Sequence, residues 1–217
     1  MKIQTYVLAM ALEMAFILGA APGASRSTTT KGMRPTITLR VVNEGGVDSQ
    51  SLVQARKEAT RIFDHSGINL AWLDCESGQA EWGNGSPCQR SLGPVEFWMR
   101  IVTRRPPATT GDMLGFTHLD ERWTHGAAGV YYPAAVEMAK KWPATIGEIL
   151  AAAIAHEVGH LILGANAHSA NGVMSAHWSK PEFIRIGTSA LHFTRDQGRL
   201  LQEGIARRAA GRVVAAP

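Results

Sequence analysis

Cysteine is nearly absent from this chain, with only Cys75 and Cys88 among 217 residues. That excludes a disulfide-built scaffold, and two cysteines with unsuitable neighbours do not suggest a second zinc site. No basic run is interleaved with aromatic residues, and the net charge of +4 comes partly from Arg207, Arg208 and Arg212 near the tail. Nucleic-acid binding is therefore not indicated, and a solvated surface is the default. Beyond the N-terminal segment no run reads as long or apolar enough to cross a membrane. With 45% hydrophobic and 18% charged residues, the composition suits one globular domain with a substantial core.

Residues 1–24 carry Lys2, a largely apolar run broken by Glu13, and then small residues. This is a secretory signal pattern, with cleavage expected between Ala20 and Ala24. The alternative is an N-terminal membrane anchor, for which the run is short and contains a charge. Residues 25–35 read as a linker, 36–208 as the folded domain and 209–217 as a flexible tail. The expected location is secreted or periplasmic, without stable membrane insertion after signal removal, and a monomer is expected. In such a compartment Cys75 and Cys88 can pair, contributing about 3 kcal/mol through loop closure. The alternative is two free thiols. Asn84-Gly85-Ser86 matches a glycosylation acceptor, weakened by the following Pro87.

Alternating β-branched and apolar residues predict a strand over 36–42. Asp48 or Ser49 caps a helix running to about residue 66, burying Leu52, Ala55, Ala59, Ile62 and Phe63, and Gly67 ends it. Further strands are expected over 68–73, 95–102, 113–118 and 127–132, with a loop over 104–112 and two turns of helix over 134–141. Thr145-Ile146-Gly147-Glu148 reads as a capping box that opens a helix over 146–163. Leu150, Ile154, Val158 and Leu161 or Ile162 form its apolar stripe, leaving the other face for a cleft. Residues 176–191 read as a cleft wall, and Thr194 caps a last helix to about residue 208. The layout is α/β (α+β), with helices packed on a twisted mixed sheet of about five strands.

The chemistry concentrates in His156-Glu157-Val158-Gly159-His160, continued to His168. On a helix, His156 and His160 project from one face a turn apart and can grip one metal ion. Glu157 can reach a water at that metal without ligating it, which is the general-base position of an H-E-x-x-H site. A catalytic zinc takes three protein ligands and keeps an open position. His168 is the best third ligand, because Gly164 can end the helix in the left-handed conformation and turn the chain back. His177 and His192 are the alternatives. His118 and His125, with Asp112 and Asp120, are read either as a second metal site or as solvated loop residues. His65 suits the negative end of a helix.

Together with Gly172-Val173-Met174-Ser175, this stretch resembles the metzincin clan of zinc peptidases, whose signature is H-E-x-x-H-x-x-G-x-x-H followed by a methionine turn. Here the spacing is extended to H-E-x-x-H-x-x-x-G-x-x-x-H, and His168-Ser169 is similar to the histidine-serine pair of the matrixins. The resemblance covers residues 36–204 and is specific over 156–174. It implies a backing helix, an active-site helix, a Met-turn at Met174 and a C-terminal helix. It also implies that the fourth strand is antiparallel, lies at the sheet edge and pairs with the substrate backbone. A matrixin-like cysteine-switch propeptide is not expected.

The function expected is a secreted zinc endopeptidase acting on a protein or peptide substrate. Zn2+ would be held by His156, His160 and His168, with Glu157 as general base. His177 or Tyr132 are candidates for a second electrophile. The alternatives are a non-catalytic zinc-stabilised binding module, which Glu157 argues against, and a metallohydrolase acting on a non-peptide substrate.

Overall fold

The computed structural model describes residues 33–75, 86–104, 113–119 and 126–211. The expected signal segment, most of the linker, Asn84, Asp112, Asp120, His125 and residues 212–217 lie outside them. All the described residues belong to one compact unit, Met33–Pro217.

Five strands form one mixed sheet: β1 (Thr36–Asn43), β2 (Asn69–Asp74), β3 (Glu96–Val102), β4 (Gly115–Leu119) and β5 (Gly126–Tyr131), in the order β2-β1-β3-β5-β4. The first four neighbours in that order run parallel, and β4 closes the edge antiparallel to β5. Helix α1 (Ser49–His65) joins β1 to β2, and α2 (Tyr132–Lys141), α3 (Ile146–Leu163), α4 (Lys180–Gly187) and α5 (Arg195–Ala209) follow β5. Alternation in β1 sends Ile37, Leu39 and Val41 into a core shared with Ala55, Ile62 and Phe63 of α1 and with α3. Asp48 caps α1, its carboxylate accepting from the Ser51 N–H at 2.9 Å.

Four expectations need correction. The helix expected as two turns over 134–141 begins at Tyr132, directly after β5, because Pro133 sits in its first turn, where a missing N–H costs nothing. Residues 180–187, expected only as wall, form a helix opened by Glu182, which accepts from the Ser179 N–H at 2.9 Å and the Ser179 hydroxyl at 2.7 Å. The third concerns α3. Its expected stripe is buried, but so are Ile149, Ala151, Ala152, Ala153 and Ala155 around the rest of its circumference. Sheet, α1, α2, α4 and α5 all pack on it, so it is a central helix rather than an amphipathic one. By length and apolar composition it does reach the range of a membrane span, contrary to expectation, and the reason is this burial inside the protein. At its C-terminal end Arg208 of α5 donates to the Leu161 carbonyl at 2.5 Å, one of the acceptors a helix end leaves unpaired.

The other sheet face holds a smaller cluster, with Val42, Leu73 and Trp98 against the Cys75–Cys88 disulfide. Beside it Arg40 is fully buried, donating to the carbonyls of Arg90 at 2.6 Å and Ser91 at 3.2 Å and to Glu96 Oε2 at 2.6 Å. Burial alone would push the Glu96 carboxyl up. The Arg90 guanidinium, the Gly93 N–H and the Arg40 guanidinium outweigh it and hold the group at about 2. A carboxyl depressed from its ordinary 4.5 to about 2 contributes stability that is complete above the higher value and lost as pH falls through the lower. At roughly 1.4 kcal/mol per unit, and discounted for the solvent screening of the half-exposed Arg90, the contribution is on the order of 1–2 kcal/mol. In chemical denaturation, Glu96→Gln should therefore lower stability at neutral pH by about 1–2 kcal/mol, with the gap from wild type closing as pH falls from about 5 to about 2. A gap independent of pH would refute this account.

Candidate metal centre

Helix α3 is what places the first two histidines. Its start carries the expected capping box, Glu148 N–H donating to Thr145 Oγ1 at 3.3 Å and Thr145 N–H to Glu148 Oε2 at 2.8 Å. Its end is Gly164, at φ 103° and ψ 172°. The expected left-handed turn is thus corrected to a positive φ with an extended ψ, which still favours glycine. The Gly164 carbonyl swings back to accept from His160 Nδ1 at 3.0 Å.

His168 follows on a loop tied at two points. Ser169 N–H donates to the Met174 carbonyl at 2.9 Å, and Gln197 Nε2 donates to Ser169 Oγ at 2.8 Å. Gln197 also caps α5 by accepting the Thr194 N–H at 3.1 Å. Glutamate could cap equally well but has no donor for Ser169. Met174 is buried beneath, and a Cβ on Gly159 would overlap its sulfur. That close approach accounts for a helix-interior glycine, which otherwise costs about 1 kcal/mol.

The three imidazoles meet through Nε2. His160 Nε2 lies 3.1 Å from both His156 Nε2 and His168 Nε2, and the three ligand atoms all lie within 4.8 Å of one another. His156 Nδ1 donates to the Val173 carbonyl at 2.8 Å, as His160 Nδ1 does to Gly164. A carbonyl only accepts, so each Nδ1 carries the proton and each Nε2 presents a lone pair. Two lone pairs at 3.1 Å repel, and a shared cation removes the conflict. Tetrahedral ligation at 2.0–2.1 Å from zinc puts nitrogens roughly 3.3 Å apart, so the two approaches made by His160 are close to what a shared metal ion requires. Burial pushes the His156 imidazole down to about 4 against the pull of the Val173 carbonyl, with His160 and His168 adding to the fall. His168 is lowered in the same order, by burial and then by His160. Both shifts favour the neutral, ligating form.

Glu157 points around α3 toward β4 and is buried. Its Oε2 accepts from the Thr117 hydroxyl at 2.7 Å, and burial pushes the carboxyl up to about 7 despite that bond.

No protein-family model matches the chain. No curated protein matches it either. Among solved structures it is similar to metalloproteinase-II from Bacteroides fragilis, with 16% identity, a TM-score of 0.49, and coverage of 79% of this chain and 53% of that one. The chain thus spans about half the length of that structure.

The other candidates fall elsewhere. His192 stacks on His65 with ring centroids 3.8 Å apart, and His118 is exposed on β4. His177 is exposed close to His168 without joining the triad, and Tyr132 opens α2. Sequence reasoning passed over Trp178, whose Nε1 donates to the same Val173 carbonyl at 3.3 Å, and also Gln197 and Thr117. A glutamine at the third position of a helix start was a visible signal for a cap, but its second bond was not.

Metal content by mass spectrometry is expected to be about one ion per chain in the wild type and to drop to a small fraction in His168→Ala. Gln197→Glu, which keeps the cap and loses the donor to Ser169, should weaken metal binding about 10-fold in chelator competition. Full retention in His168→Ala would move the third ligand elsewhere.

Proposed function

We propose that the chain is a secreted zinc-dependent endopeptidase that hydrolyses peptide bonds in proteins or peptides and acts as a monomer. The observation that carries this reading is the convergence of three imidazole nitrogens, with a buried carboxylate on the same helix. Three imidazoles with no fourth protein ligand among the described residues suit a catalytic zinc rather than a closed structural one. His156, His160 and His168 would hold it. Bound there, zinc supplies acidification of a water and polarisation of a carbonyl. Glu157 accepts a proton from the water that attacks the scissile carbonyl, and delivers it to the amine nitrogen as the carbon–nitrogen bond breaks. Val173 and Gly164 keep two imidazoles in the ligating tautomer, and Met174 supports the helix below them.

A peptide substrate is supported by β4, an antiparallel edge strand whose outer side pairs with nothing among the described residues. Such an edge offers main-chain donors and acceptors to an extended chain. The Cys75–Cys88 disulfide supports an oxidising, extracytoplasmic location.

The zinc-reconstituted chain is to be screened against a library of quenched fluorescent peptides. Glu157→Ala is expected to keep its zinc while kcat on a cleaved peptide falls about 100- to 10,000-fold. Undiminished turnover would remove Glu157 from the reaction. A wild type that binds zinc and cleaves nothing would favour a metal-stabilised binding module.

A further inference from the structure

The Glu157 carboxylate is held by the sheet edge and not by its own helix. Thr117 Oγ1 lies 2.7 Å from Glu157 Oε2 and 3.0 Å from the Glu157 carbonyl. Two residues back on the same strand, a Cβ on Gly115 would stand 2.7 Å from both Cγ and Oε1 of Glu157. Residues two apart on a strand share a face, so the absent side chain and the hydroxyl form two walls of one recess.

The pairing of β4 adds a second fact about these two residues. Tyr131 N–H donates to the Leu114 carbonyl at 2.8 Å, and the register continues Gly115 to Val130, Phe116 to Gly129 and Thr117 to Ala128. In an antiparallel ladder bonded and non-bonded pairs alternate, so Phe116 and His118 bond inward to β5. Gly115, Thr117 and Leu119 then turn their N–H and C=O groups to the free edge. Their side-chain positions face α3, while their backbones face whatever docks on the edge.

We infer that Gly115 and Thr117 are the seat of the Glu157 carboxylate, so that the strand offered to a peptide also positions the proton acceptor. This rests on the hydrolytic reading above. Thr117 is a positioning residue: its hydroxyl fixes the carboxylate, and its backbone groups remain available to substrate whatever side chain it carries. Loss of the hydroxyl should therefore act on kcat and spare KM.

Thr117→Val keeps the shape and removes the donor, and Thr117→Ser restores it. On a peptide that the wild type cleaves, Thr117→Val is expected to lower kcat about 10- to 100-fold with KM within about twofold. Thr117→Ser should recover most of the loss, and zinc content should stay the same throughout. In a Glu157→Ala background, Thr117→Val should change kcat no further. An independent readout is thermal unfolding of the metal-free chain, where the effects of Thr117→Val and Glu157→Ala should be non-additive. Wild-type kcat in Thr117→Val, or a loss that serine does not rescue, would overturn the inference. So would additive unfolding shifts. If Glu157→Ala itself retains turnover, the hydrolytic reading fails, and the unfolding cycle still decides whether the seat exists.

Discussion

Two backbone carbonyls, those of Val173 and Gly164, decide which nitrogen of His156 and His160 carries its proton. Because each accepts at Nδ1, the opposite nitrogens must present lone pairs, and these face each other across 3.1 Å. Left alone, that arrangement is repulsive, and the buried His156 cannot relieve it readily by taking up a proton. The surrounding structure can be understood as what keeps those carbonyls in place. Gly164 has its carbonyl there because its backbone adopts a positive φ at the end of α3. Val173 has its carbonyl there because its own N–H is tied to the His192 carbonyl at 3.0 Å, next to a glycine at φ +81°.

Local grammar made the scaffold of this site legible. Thr145 and Glu148 announce the start of α3, and Asp48 and Thr194 do the same for α1 and α5, because caps are bonds between residues three apart. The spacing of His156 and His160 follows from the helical period, and a glycine before His168 signals a turn. The fourth helix was within reach as well, since Ser179-Lys180-Pro181-Glu182 has both the proline and the acidic residue of a helix start. The all-round burial of α3 was harder to see. Its circumference is filled with alanine, which reads as neutral in an amphipathic pattern but packs closely against a crowded neighbourhood.

What the sequence could not display are bonds between residues far apart in the chain. Nothing near Arg40 announces that it will be buried, because its partners, Arg90, Ser91 and Glu96, arrive about fifty residues later. Thr117 is an ordinary strand threonine until α3 lays Glu157 against it, forty residues on. Gly159 looks like a costly helix residue until Met174 folds beneath it.

Gln197 carries a consequence for how the chain matures. It closes the start of the last helix and, through Ser169, steadies the loop that carries His168. A growing chain that has just emerged past Met174 already holds all three imidazoles and the partner for the first of the loop's two ties, yet it lacks Gln197 for the second. The loop that carries His168 gains its second tie only when the C-terminal helix has been made and docked, and a chain truncated before that helix would hold the loop by the Ser169–Met174 bond alone.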